Sequence, residues 1–372
     1  MQTTKTPQIR IRSDIAAMEG YGYPSGTLEL LSERMGRPAN EIIKLDTNEN
    51  PFGPSPKALE ALSHMESRAH IYPDVRVPYL RAGLAEYTGV DAEHILVGQG
   101  CDEIIKVTEQ LFLEPGDVIL TCPPTFTMYG LVAGWLGAKT VNISRRADFS
   151  LDVEAIEKAA YETGAKLLFL CSPNNPDGSL TPPDVLDRLL KLPLVVVLDE
   201  AYYEFAGIEN SALRVPNTPN LIVIRTFSKW AGLAGLRIGY GIYPLEIIQH
   251  LWKIKLPFNV SAAADVAARA TLNDMPTMQA NVEKIIAERD RLIAELKTIP
   301  YMHVYPSAAN FVFCKIATVP IPDLQARLEN EGILIRYYEG KVPSHVRISI
   351  GRPDQNDKLL AVLRQIGQEF NA

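Results

Sequence analysis

The chain has 372 residues, 47% of them hydrophobic and 22% charged, with a net charge of −7. These proportions describe a globular protein with room for two domains and a large core. The acidic balance and the lack of a Lys/Arg run argue against nucleic acid as a partner.

Four cysteines, Cys101, Cys122, Cys171 and Cys314, are scattered without CxxC spacing. They read as reduced thiols rather than disulfides or zinc ligands. The opening "MQTTKTPQIRIRSD" lacks the apolar core of a signal peptide, and no apolar run is long enough to span a bilayer. The expectation is a cytoplasmic protein with no membrane partner.

In chain order, residues 1–48 form a Gly/Pro-rich arm around "GYGYPSG", expected to pack with the C-terminal part of the chain. Residues 49–273 then carry short β-branched runs separated by helical stretches. The runs are "HILVG", "DVILTCPP", "KLLFLCSPN", "LVVVLDEAYYEF", "LIVIRTFS" and "RIGYGI". Continuously apolar strands bounded by turn residues predict an α/β domain with a mostly parallel sheet covered by helices on both faces. Near residue 275 the texture changes. Val282, Ile285, Ile286, Arg289, Leu292, Ile293 and Leu296 recur at three-to-four spacing, which predicts a long amphipathic helix. "NFVFCKI", "GILIRYY" and "HVRISIG" follow, interleaved with helices, so residues 274–372 read as a smaller α+β domain.

Ligands of open α/β sheets sit beyond the carboxyl ends of the strands, and three such ends stand out. In "HILVGQGCDEII", Gly98 and Gly100 permit close backbone approach. The amides of Cys101, Asp102 and Glu103 open a helix there, suited to an anion such as phosphate, with a plain structural turn as the alternative. Glu103 stands where a dinucleotide fingerprint needs its third glycine, and no GxxxxGK[ST] occurs.

Asp199 ends the most apolar strand. It is either a cap or core ion-pair member, or a carboxylate holding a protonated ring nitrogen, with Tyr202 a phenolic donor to the same ligand. Lys229 follows another apolar strand between Phe227 and Trp230, and Gly232 and Gly235 leave room around it. A lysine partly removed from water has a lowered pKa and a nucleophilic amine, as a Schiff-base lysine requires. Ser228 and Arg237 bracket it. One ligand suits all three ends: pyridoxal phosphate, with its phosphate, basic ring nitrogen and aldehyde.

The motifs resemble those of fold-type I pyridoxal-phosphate aminotransferases, and most closely the histidinol-phosphate aminotransferase branch. The resemblance covers nearly the whole chain and rests on "NENPFG", "YPD", "GQGCDE", "PPTFTMY", "SPNNPDG", "DEAYYEF", "FSKWAGLAGLRIG" and "HVRISIG". It implies that Lys229 carries the cofactor as a Schiff base and then shuttles the substrate proton. Asp199 would pair with the pyridinium nitrogen, Asn175 and Tyr202 would bind the phenolic oxygen, and Tyr129 would stack on the ring. The Gly100 turn with the Cys101 and Asp102 amides, Ser228 and Arg237 would hold the phosphate.

Tyr72 would come from the neighbouring subunit, implying a homodimer with shared active sites. Arg347 would grip an α-carboxylate, with Asn175 beside the substrate. Arg336 would bind a distal phosphate with Tyr21 or Tyr23. Two departures are Asp177 in place of a usual threonine and Phe126 in place of a usual tyrosine.

The implied activity is ping-pong transamination between an amino donor and a 2-oxo acid acceptor, with histidinol phosphate and 2-oxoglutarate as the leading pair. An aromatic amino-acid transaminase is the runner-up. A phosphothreonine decarboxylase on the same scaffold stands lower, and so does a non-catalytic regulator, since Lys229 and Asp199 are both present. No metal is expected.

Overall fold

The computed structural model describes residues 9–20, 26–65, 69–338 and 342–370. Among the described residues, twelve strands form two sheets. In chain order they are β1 (Ile43–Leu45), β2 (Ile95–Gly98), β3 (Val118–Thr121), β4 (Lys139–Asn142), β5 (Leu167–Cys171), β6 (Val195–Asp199), β7 (Leu221–Thr226), β8 (Gly239–Ile242), β9 (Met302–Val304), β10 (Phe311–Ile316), β11 (Ile333–Tyr338) and β12 (His345–Ser349).

The larger sheet has the order β2-β8-β7-β6-β5-β3-β4. All its pairings are parallel except those made by β8, which runs antiparallel to β2 and β7. Strands β5 and β7 are buried at every position, as expected for a sheet covered on both faces. This is the mixed, largely parallel architecture expected from the sequence. The edge strand β4 escaped that reading because its residues are exposed or half-buried and do not form an apolar run.

The helices between strands follow local chemistry. Asp152 caps Val153–Thr163 by accepting from the Ala155 N–H, and Gly164 ends that helix in the left-handed region. Ser261 caps Ala262–Leu272 in the same way.

The smaller sheet has the order β1-β11-β12-β10-β9. Its first strand comes from the N-terminal fifty residues and runs parallel to β11, with Ile43 beside Ile333. The amphipathic helix spans Met275–Leu296 and buries Val282, Ile285, Arg289, Leu292 and Leu296. Arg289, at an apolar-stripe position, is accounted for because Nη1 donates to the Phe205 carbonyl at 3.0 Å, joining the helix to the segment that follows β6.

Because β2, β3, β5, β6 and β7 share one direction, their carboxyl ends open on one edge. The smaller sheet faces that edge, and a cavity of about 720 Å³ lies there.

Candidate active site

Lys229 lies on the cavity wall just past the end of β7. The chain turns after the strand because the Ser228 amide donates to the Thr226 hydroxyl at 3.0 Å. Phe227 and Trp230 are buried on either side, which leaves the lysine to project into the cavity. Its Nζ donates to the Thr47 carbonyl at 2.9 Å. Burial, reinforced by the positive charge of Arg347, pulls the amine down to about 8, so a useful fraction is unprotonated near neutral pH.

The structure corrects the expectation for Gly232. This glycine has φ +67, and a Cβ there would lie 2.4 Å from the Gly53 carbonyl oxygen. Its function is to let the Gly53 turn pack against the lysine loop, and it leaves no open space of its own. Gly235 does face the cavity and meets nothing within 4 Å.

Asp199, 3% exposed, closes β6. One oxygen accepts from the Tyr129 hydroxyl at 2.7 Å and the other from the Ala201 amide at 3.0 Å. Burial outweighs both donors and raises the carboxyl to about 6. This contact also corrects the assignment of Tyr129 as the residue stacked on a cofactor ring. Tyr129 is 0% exposed and its ring lies against Phe169, with centroids 4.6 Å apart. Of the two aromatics in "PPTFTMY", the one that lines the cavity is Phe126, three residues earlier and edge-on to Tyr129 at 5.6 Å.

Around Tyr202 and Asn175 the two sheets interlock. Asn48 Nδ2 donates to the Tyr202 hydroxyl at 3.0 Å. The Asn48 amide donates to Ser349 Oγ at 2.9 Å. Arg347, on β12, donates to Asn175 Oδ1 and, at 2.7 Å, to the Asp46 carbonyl. Its Nε is buried and without a partner. Asp177, the departure from the usual loop sequence, is buried with Asn174 and the Ser179 amide as donors. Asn174 in turn accepts from Thr125 at 2.8 Å. That chain of contacts fixes the loop holding Asn175 against the loop holding Phe126.

An anion cradle lies at the end of β2. The helix Gly100–Phe112 aims its first amides into the cavity beside Ser228 and Arg237. Arg237 lies 3.4 Å from Ser228 Oγ and pairs with Asp102 at 2.8 Å. Gly100 has φ +72, and a Cβ on it would sit 2.7 Å from Arg237 Nη2; only glycine permits this geometry.

On the opposite wall, Arg336 of β11 is in register with Arg347 of β12, and both line the cavity. Directly paired residues of antiparallel strands project to the same face, where like charges repel. Two guanidinium groups so placed are suited to substrate anions.

Cys101, Asp102, Asn175, Asp199, Tyr202, Ser228, Lys229, Arg237, Arg336 and Arg347 therefore meet around one cavity. Tyr72 does not reach it within the chain: it is 79% exposed and stacked on Phe258 at 4.6 Å. Tyr21 and Tyr23 lie outside the described residues. Sequence reasoning gave no function to Asn48 or Thr47, whose contacts come from residues 154 and 182 positions away. The "NENPFG" motif was the available signal for Asn48. Among the described residues no His, Cys, Asp and Glu cluster could hold a metal ion, and no helix is long and apolar enough to cross a membrane.

Residues 40–363 match the family model described as aminotransferase class I and II. A histidinol-phosphate aminotransferase of Roseiflexus castenholzii is 49% identical over 364 residues, covering 96% of this chain and 98% of that protein. A chloroplastic histidinol-phosphate aminotransferase of Nicotiana tabacum is 46% identical over 357 residues, covering 95% of this chain and 86% of the other. Among solved structures, a histidinol-phosphate aminotransferase from Sinorhizobium meliloti in complex with pyridoxal-5'-phosphate superposes with a TM-score of 0.87 at 28% identity. That match covers 98% of this chain and 99% of the other.

Proposed function

The chain belongs to the class I and II aminotransferases, and from that premise we infer its reaction: transfer of the amino group of histidinol phosphate to 2-oxoglutarate, with pyridoxal phosphate as cofactor. The observation that carries the substrate reading is the facing pair Arg336 and Arg347. The cradle of Ser228, Arg237 and the helix amides accounts for the cofactor's phosphate. The two remaining arginines then serve substrates that bring anions of their own, a phosphate on the donor and carboxylates on the acceptor.

The residues present fit the cofactor. Gly100, where a Cβ would lie 2.7 Å from Arg237 Nη2, lets that guanidinium close on the start of the helix beside Ser228, and Asp199 and Lys229 line the same cavity. When bound, pyridoxal phosphate supplies an aldehyde carbon that takes the donor's amino group and a ring that withdraws electrons from the donor Cα.

The chain's own groups do the rest. Asp199 accepts the ring N–H, and Tyr129 keeps one of its oxygens oriented. Tyr202 and Asn175 hold the phenolic oxygen, with Asn48 orienting Tyr202 and Arg347 orienting Asn175. Lys229, with an amine that titrates near neutrality, takes the proton from the donor Cα and returns one on the way to product. Phe126 covers one face of the site.

A homodimer with Tyr72 reaching the neighbouring cavity fits the exposure of Ile71, Tyr72, Tyr79, Leu256 and Phe258 on one chain. We place the enzyme in the cytoplasm, where its free thiols stay reduced. The domain division at residues 48 and 273 is retained in the proposal because β1 joins the C-terminal sheet.

The test is a single half-reaction. The pyridoxal-phosphate form is mixed separately with L-histidinol phosphate and with L-phenylalanine, and the absorbance change of the bound cofactor is followed. Faster conversion with histidinol phosphate is expected, and faster conversion with phenylalanine would replace this reading by an aromatic transaminase.

A further inference from the structure

Five carboxylates line the cavity: Glu19, Asp46, Glu49, Asp102 and Asp199. Four have partners. Asp46 and Glu49 meet Lys44 at 3.1 and 2.9 Å, Asp102 meets Arg237 at 2.8 Å, and Asp199 accepts from Tyr129 at 2.7 Å. Glu19 is the one described lining carboxylate with no partner, and it is exposed at the mouth.

The segment that carries it is docked by two contacts. Arg12 donates to the Trp135 carbonyl at 3.0 Å. Met18 lies so close to Gly134 that a Cβ there would be 2.9 Å from its Cε. Both contacts dock the arm on the helix Met128–Trp135, the helix that follows Phe126. The lining cations are Lys229, Arg237, Arg336 and Arg347, and all are assigned to the cofactor or to substrate anions. The lone carboxylate is therefore left for a donor group that is cationic or carries an N–H.

We propose that Glu19 is the acceptor for the ring N–H of the amino donor, a basic five-membered heterocycle that reaches the mouth of the cavity while Arg336 and Arg347 hold its anion. This rests on the histidinol-phosphate reading and adds the residue that separates that donor from a phenyl analogue. An imidazole has an ordinary pKa of about 6.5, and a carboxylate beside it favours the protonated ring and a charge-assisted hydrogen bond. A phenyl ring offers Glu19 nothing and strips water from it. The like-charged distal carboxylate of glutamate gains nothing from it either.

The test compares half-reactions of the wild-type holoenzyme and Glu19→Gln with histidinol phosphate, glutamate and phenylalanine. The expected result is a roughly 10- to 100-fold fall in kcat/KM for histidinol phosphate, carried by KM. The losses for glutamate and phenylalanine should be at least five-fold smaller, so that the preference for histidinol phosphate over phenylalanine narrows. Arg12→Ala, which loosens the whole arm, should lower all three substrates together and so marks what mere undocking does.

An equal fall for all substrates in Glu19→Gln, matching Arg12→Ala, would overturn the proposal, as would no fall with histidinol phosphate. A wild-type enzyme that ignores histidinol phosphate would instead defeat the functional reading on which the proposal stands. The two failures are thus distinct.

Discussion

Replacing Asp199 by Asn should stabilise the cofactor-free protein, and by an amount that grows with pH. In the folded chain the carboxyl titrates at about 6, raised mainly by burial from its ordinary 3.8. Between these values the unfolded chain is ionised while the folded one holds its proton, so ionisation works against folding as pH rises. Full stability from this group is present below pH 3.8 and is lost as pH rises through 6. At pH 8, above both values, the loss is ~3 kcal/mol; at pH 5, between them, it is ~1.5 kcal/mol.

Asn carries no charge and keeps both neighbours, because the Tyr129 hydroxyl can turn to accept from an amide N–H. The assay is urea unfolding of both apoproteins at pH 5 and pH 8, followed by tryptophan fluorescence. Trp135, Trp230 and Trp252 all lie between β2 and the helix Met275–Leu296, so the signal reports the unit that contains Asp199. The variant should unfold at higher urea at both values, with a gap about twice as large at pH 8. A gap that is independent of pH, or that favours the wild type, would refute the reasoning.

Other outcomes follow from the same site. Lys229→Ala should lose transamination while still binding pyridoxal phosphate non-covalently, as seen by gel filtration with the cofactor's absorbance; near-wild-type turnover would remove the mechanism. Capture of added pyridoxal phosphate by wild-type apoprotein should quicken as pH rises, with an inflection near 8 where Lys229 loses its proton, and a rate that is flat from pH 6 to 10 would contradict the lowered amine. Tyr129→Phe removes a donor that favours the ionised Asp199 and should weaken cofactor affinity roughly 5- to 10-fold at pH 7, measured by equilibrium titration. Arg336→Gln should raise KM for the phosphorylated donor by about 10- to 100-fold and leave binding of the cofactor unchanged by the same titration.

Strand ends were the most legible part of the chain. Asp199, Lys229 and the Gly100 turn each terminate an apolar run, and a parallel sheet brings such ends to one edge whatever the details of packing. Side-chain direction within a loop was less legible. In "PPTFTMY" the two aromatics are three residues apart, and which faces the cavity depends on how the helix Met128–Trp135 seats against Phe169. No local pattern encodes that choice. Gly232 misled for a related reason: glycine spacing signals close approach but does not say whether a ligand or another stretch of backbone approaches. The contacts of Asn48 and Arg347 were invisible because their partners lie hundreds of residues away. Strand β4 was hidden by its exposure, since an edge strand has no need of continuous apolar residues.

The placement of β1 has a consequence for biosynthesis. Ile43–Leu45 is made early but pairs with Ile333–Tyr338, and Asn48 is fastened by Ser349, 301 residues later. At about 5–20 residues per second, the early strand waits roughly 15–60 s for its partner. During that interval the nascent chain can build the Asp199 and Lys229 strand ends but not the wall carrying Arg336 and Arg347. A cofactor arriving then would find its phosphate cradle before any substrate could be held, so the chain gains the capacity to bind before the capacity to react.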